Sequence, residues 1–218
     1  MITLHATKKL FAKLPVDAEG ALAAVPPSVA AGNAQLPNPL SGWHGNLLVL
    51  QRRQCVLLVH DATRFPVFMT SLVKADFAHF NVRFADALMN TLLKAGADEC
   101  HMQAAVALLA PVQVDTTCNR SVQGTMNQMA GDIEHLLWYE QLALDDLSDC
   151  RTGAWLADRP TRVKGHKDYL WPCREMLALL ETASAPARPA GPVAAAPATA
   201  PVADKVVSLA DYRDSSRR

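Results

Sequence analysis

The residues with the best case for chemistry lie together in Thr116-Thr117-Cys118-Asn119-Arg120-Ser121-Val122-Gln123-Gly124-Thr125-Met126-Asn127. Before them, Val112 and Val114 alternate with Gln113 and Asp115, which predicts a strand. After them, Val122, Met126, Met129, Ile133, Leu136 and Leu137 recur at helical spacing. The block is therefore a strand-to-helix junction. Asn119 is a suitable N-cap, and Ser121 is an alternative. A helix start leaves backbone N–H groups unpaired and carries partial positive charge. Arg120 in that first turn opposes the dipole, where Asp or Glu is preferred, and so points to an anionic ligand such as phosphate. Gly124 removes a side chain within two turns, which leaves room for a ligand or for another backbone, and Asn127 follows on the same side. The plainer reading is a capped helix with Arg120 solvated and Gly124 packed close to the sheet.

Lys8 and Lys9 enter the same argument conditionally. They follow a short strand predicted from Ile2, Leu4 and Ala6. If that strand pairs parallel with Val112–Asp115, these lysines reach the sheet end that carries Arg120, which would make a pocket of several cations for phosphate. Trp43, His44 and Asn46 are further pocket candidates at the entry to a strand region. Histidine as a residue type changes charge near neutrality, which makes His44 a candidate general base, as it does His60. No carboxylate or nucleophile partner of His44 is recognisable by spacing, so a hydrogen-bonded structural histidine is the simpler reading. Asp132 and His135 share a helical face, but no third ligand has recognisable spacing, and the expectation is no metal site. Cys118 would be reactive only with a base that the sequence does not identify. Arg52 and Arg53 sit at a hairpin tip. Arg159, Arg162, Lys164 and Lys167 lie among Trp155, Tyr169 and Trp171, a pattern compatible with single-stranded nucleic acid or with aromatics closing a core. G-x-G-x-x-G, Walker A, G-x-S-x-G and H-E-x-x-H motifs are all missing from the sequence, and no cofactor is expected.

Ala6-Thr7-Lys8-Lys9-Leu10, Gly42-Trp43-His44-Gly45-Asn46-Leu47, Arg52-Arg53-Gln54-Cys55 and the Thr117–Asn127 block occur in an order that resembles an uncharacterised bacterial domain family. The resemblance covers roughly residues 1–180, and its most specific part is Asn119-Arg120-Ser121-x-x-Gly124-x-Met126-Asn127. It implies a bacterial, cytosolic, single-domain protein and carries no activity.

The elements that must position these residues read as α+β. An antiparallel β-meander over 42–70 is expected to pack against two long α-helices, at about 77–92 and 120–147. Leu47–Leu50 and Cys55–Val59 are its first strands, and Pro66 puts the third at a sheet edge or strand start. Shorter helices are expected at 7–14, 17–24, 99–109 and 173–182, with 148–172 irregular. The single domain is 1–183, including a long loop at 15–41. Residues 184–203 hold nine Ala and five Pro, a composition of a disordered linker, and 204–218 is a short peptide suited to docking on a protein partner.

Lys+Arg and Asp+Glu are both 21, for a formal net charge of zero, which disfavours a highly basic nucleic-acid coat. No apolar run is long enough for a membrane span. The N-terminus lacks the order of a secretory signal, and five widely spaced cysteines suit reduced thiols in a cytoplasm. The sequence thus points to a cytoplasmic binding or regulatory module for a phosphate-bearing small molecule or nucleotide. The alternatives are an enzyme acting on a phosphate-bearing or nucleic-acid substrate, or an interaction domain that uses its terminal peptide.

Overall fold

The most buried of the long strands is β3 (Arg53–His60), in which every residue from Cys55 onward is buried. Its run of apolar side chains has no polar face, which a strand tolerates only when both sheet faces are covered. The computed structural model describes residues 1–22, 38–163 and 168–184 and covers both faces. β2 (Trp43–Leu50) and β4 (Pro66–Met69) flank β3 antiparallel. β1 (Ile2–Ala6) then pairs parallel with β2 on one side and with β5 (Val112–Asp115) on the other. The strand order is β4-β3-β2-β1-β5. The fold is α+β, and the expected meander is its β2–β4 part. The sheet as a whole is mixed, because the long connection after β1 allows a parallel return to β2 that a hairpin cannot make.

The pleat sorts side chains between two cores. Ile2, Leu4, Trp43, Val56, Leu58 and Val112 face α1 (Lys8–Phe11), α3 (Phe80–Lys94), α4 (Glu99–Leu108) and α7 (Pro172–Ser184). Cys55, Leu57, Val59 and Phe68 face α5 (Arg120–Tyr139) through Val122, Met126, Met129 and Ile133. The two long helices therefore lie on opposite faces of the sheet. Gly45 matters to the first layer: a Cβ there would lie 2.8 Å from both Leu10 and Leu58.

Several element boundaries differ from the sequence expectation. The 77–92 helix is two, α2 (Lys74–Ala78) and α3, broken at His79 where ψ is 31°. α5 stops at Tyr139, followed by Gln141 with φ of 51° and a 3-10 turn at Leu144–Asp146. The irregular stretch contains a helix, α6 (Asp149–Ala157), which packs against β4, and Asp149 accepts hydrogen bonds from the Thr70 amide at 3.1 Å and hydroxyl at 2.6 Å. Asp17 starts no helix over the described residues 17–22. Its carboxylate accepts from the Glu19 and Ala21 amides in a tight turn, and Ala21 bridges to Gln113. The β2–β3 loop is Gln51-Arg52, both at positive φ, a mirror-image turn made without Asn-Gly. Gln51 compensates through its side chain, donating to Leu142 O at 2.9 Å and accepting from the Leu144 amide at 2.8 Å.

The loop residues 23–37, Lys164, Lys167, and the proposed linker and peptide beyond Ser184 lie outside the described residues. The last helix extends through Ser184.

Candidate functional site

Alternation along β1, β2 and β5 puts His5, His44 and Asp115 on the α5 face of the sheet. The register then sets them abreast: His5 pairs with His44 on one side and with Asp115 on the other. Asp61 joins them from the turn after β3. Gly42 admits it: its φ is +87°, its carbonyl accepts the Asp61 amide at 2.8 Å, and a Cβ there would crowd Asp61 Oδ2 at 3.3 Å.

The four side chains form a connected set. His5 Nδ1–H donates to Asp115 Oδ1 at 2.6 Å. His44 Nδ1–H donates to Asp61 Oδ1 at 2.6 Å. His44 Nε2 accepts the Asn119 amide at 2.8 Å, which fixes the proton on Nδ1 and the ring as neutral. His5 Nε2 is 3.7 Å from Asp61 Oδ2, too long for a hydrogen bond. It is the one imidazole nitrogen of the pair without a hydrogen-bond partner among the described residues. The imidazole centroids are 4.8 Å apart and tilted by 52°. Exposure rises from floor to mouth, with side-chain values of 3% at His44, 18% at His5, 29% at Asp61 and 43% at Asp115. Burial alone would raise the Asp115 carboxyl, but hydrogen bonds from His5 and the Thr117 amide outweigh it and hold Asp115 below its ordinary value.

Arg64 closes the back of the site at φ of 59°. It donates to the Asp61 carbonyl, and to Ser121 Oγ at 3.4 Å. Burial draws its guanidinium below the ordinary value, against the opposing pull of the Asp61 charge.

The residues expected from sequence distribute around this cluster. β1 does pair parallel with β5, so Lys8 and Lys9 leave the sheet at the end from which β5 runs into α5, and both are exposed. Arg120 is exposed and enters no ion pair among the described residues. Asn119 is the N-cap, and its side chain accepts the Ser121 amide at 2.9 Å. Two amides at the α5 start thus already have protein partners, Asn119 N–H on His44 and Ser121 N–H on Asn119. The mouth is narrower than a bare helix terminus. Gly124 is exposed with nothing within 4 Å of a built Cβ, so it brings no backbone close. Asn127 is exposed further along α5. Asn46 Oδ1 accepts the Thr7 hydroxyl at 3.0 Å, tying β2 to the start of α1.

Two candidates leave the site. Trp43 points to the opposite face, fully buried, with its indole N–H on Leu40 O at 2.8 Å. His60 packs against Trp43 at 5.0 Å. Burial lowers its pKa to about 4, against the raising effect of the Ser41 carbonyl, so it is no base near neutrality. His44 stays in the site, and the carboxylate partner that its spacing does not reveal is Asp61. In sequence, His5 and Asp115 carry no signal as site residues and Asp61 only that of a neighbour of His60, because their meeting depends on the fold. Alternation with Ile2, Leu4 and Ala6 was the one available signal that His5 faces away from the first core.

Other candidates are absorbed by local pairs. Arg53 pairs with Asp145 at 2.8 Å, while Arg52 is exposed at the turn. Arg159 lies over Trp155 at 4.7 Å, and Arg174 over Trp171 at 5.0 Å, so these aromatic faces already carry cations. His135 stacks on Tyr139, and Asp132 turns to Arg159 at 3.7 Å. Cys118 is exposed, and all five cysteines are free thiols. Among the described residues, no helix is long and apolar enough to cross a membrane.

Comparison with curated proteins and with solved structures finds no match. A family model does match, over residues 3–175, which include the five strands except Ile2 and the whole His–Asp cluster. The chain belongs to the family of the domain of unknown function DUF6933.

Proposed function

We propose that this protein is a bacterial, cytoplasmic binding module for a phosphate-bearing small molecule or nucleotide, received between the carboxyl ends of β1 and β5. One observation carries the reading. β1 and β5 are parallel neighbours, yet the helix after β1 packs on one sheet face and the helix after β5 on the other. Chains departing to opposite faces open a crevice at the strand ends, and open sheets with parallel strands bind ligands at such switch points. His5 and Asp115 lie at this crevice. Exposed Lys8, Lys9 and Arg120 flank it, and cations around a helix start suit a phosphate. Free cysteines agree with a reducing compartment.

The test is a melting-temperature screen of the full chain against inorganic phosphate and nucleotides. A hit is expected to weaken about 10-fold or more in Arg120→Ala, the usual scale for a charge-assisted contact. Equal protection of wild type and Arg120→Ala would remove the reading.

A second reading, an enzyme acting on a phosphate-bearing substrate, is favoured by the free Nε2 of His5. An imidazole whose Nδ1–H is held by a carboxylate is oriented for acid–base work. It expects slow release of phosphate from nucleotides, or of nitrophenolate from a nitrophenyl phosphodiester, reduced to background in His5→Gln. Release that persists in His5→Gln counts against it.

A further inference from the structure

We infer that His5, His44 and Asp61 form a site for one first-row divalent transition ion of the zinc class, with Asp115 as the residue that orients His5. Each residue offers a ligand atom, and these atoms lie within 4.8 Å of one another. Two imidazole nitrogens and one carboxylate are a donor set for zinc, cobalt or ferrous iron, whereas magnesium and calcium prefer oxygen alone. The inference stands on this geometry and does not need the phosphate reading.

Three details go beyond proximity. First, His5 holds Asp115 through Nδ1 and leaves Nε2 free, which is the carboxylate–histidine arrangement that orients metal-binding imidazoles. Second, His5 Nε2 and Asp61 Oδ2 are separated by 3.7 Å. That is too long for a hydrogen bond and close to the roughly 3.3 Å between two ligands on one tetrahedral ion with bonds of about 2.0–2.1 Å. Third, His5 and Asp61 are partly exposed while His44 is buried, so an ion has an entry path and a fixed floor.

His44 must change its tautomer to take part. Its Nδ1–H now donates to Asp61 Oδ1, and its Nε2 accepts the Asn119 amide. When the ion takes the Nδ1 lone pair, the ring proton is carried by Nε2 and the ring stays neutral. Nε2–H and the Asn119 N–H are then both donors, so that hydrogen bond breaks. Metal occupancy is thereby coupled to the junction before α5. Three protein ligands leave coordination positions for water or an anionic ligand at the mouth, where the cation also offsets the two carboxylates. A phosphate oxygen is the chemical class that such a position takes.

The experiment is a Co²⁺ titration of the chelator-treated full-length protein, followed by visible absorption and calorimetry. Mg²⁺ serves as a control. The expected result is one equivalent bound, with ligand-field bands and no thiolate charge-transfer band. His5→Ala and Asp61→Asn are each expected to weaken binding at least 100-fold with unchanged far-UV circular dichroism. Asp115→Asn is expected to weaken it about 10–100-fold, the scale of lost outer-shell support. Arg120→Ala should leave cobalt binding unchanged, so failure of the anion reading and failure of the metal site are separate results. Two outcomes overturn the site: no cobalt binding at millimolar concentration, or a wild-type spectrum retained in His5→Ala or Asp61→Asn.

Discussion

Trp43→Ala is expected to destabilise the protein by about 3–5 kcal/mol, the range for truncating a buried aromatic. The indole is completely buried, meets the Phe84 ring edge-on at 5.2 Å and donates to the Leu40 carbonyl. Truncation would leave a cavity between the sheet and α3, and the Leu40 carbonyl without its donor. For a domain of this size the loss corresponds to a melting temperature lower by roughly 6–20 °C. Thermal unfolding followed by circular dichroism measures it. Trp43 and His44 are adjacent in sequence and face opposite ways, so cobalt binding well below the melting temperature should survive. An unchanged melting temperature with lost ligand binding would place Trp43 in the site and contradict the face assignment.

The second large effect is a pH dependence centred on His60. Its ring accepts the Thr63 hydroxyl at 2.9 Å and donates to the Ser41 carbonyl at 3.2 Å, in full burial. Desolvation disfavours the imidazolium and lowers the folded pKa from 6.5 to about 4. Between these values the unfolded chain binds a proton that the folded chain does not. Stability from this group is therefore complete above pH 6.5 and falls as the pH drops toward 4, by roughly 3 kcal/mol in all. Asp115 is shifted downward from 3.8, so its contribution is lost mainly below this window. Asp149 is shifted upward by burial, against the hydrogen bonds from Thr70, and its protonation opposes the loss at the acid end. Urea unfolding at several pH values should show the slope, and His60→Gln should flatten it. A slope equal in both proteins would mean that His60 titrates alike folded and unfolded.

The two largest expected effects fall on Trp43 and His60, both candidates by residue type, which the sheet turns away from the His–Asp cluster. Trp43 and His44 are neighbours in the chain. In a strand, neighbours point to opposite faces, and only one of the two can join any given site. His60 was a candidate base because histidine titrates near neutrality. Its burial against Trp43, invisible in the sequence, removes that property. The Asn119–Ser121 block was read correctly as a strand-to-helix junction with Asn119 as cap. Its amides proved partly occupied, one by His44, which lies 75 residues away in sequence.

What the sequence determined by itself was short-range structure, though not every break and boundary within it. Local alternation gave β1 and β5, the helical period placed the start of α5 at Arg120, and the apolar runs of β2 and β3 marked a hairpin. Tertiary structure decided the rest. The parallel pairing of β1 with β2 and β5 joins segments separated by tens of residues. No local pattern encodes that register, because many registers bury the same apolar face. The register alone sets His5 between His44 and Asp115, and the turn after β3 brings Asp61 beside them. Each of these residues, taken singly in the chain, is an ordinary polar position. Their proximity is a property of the sheet.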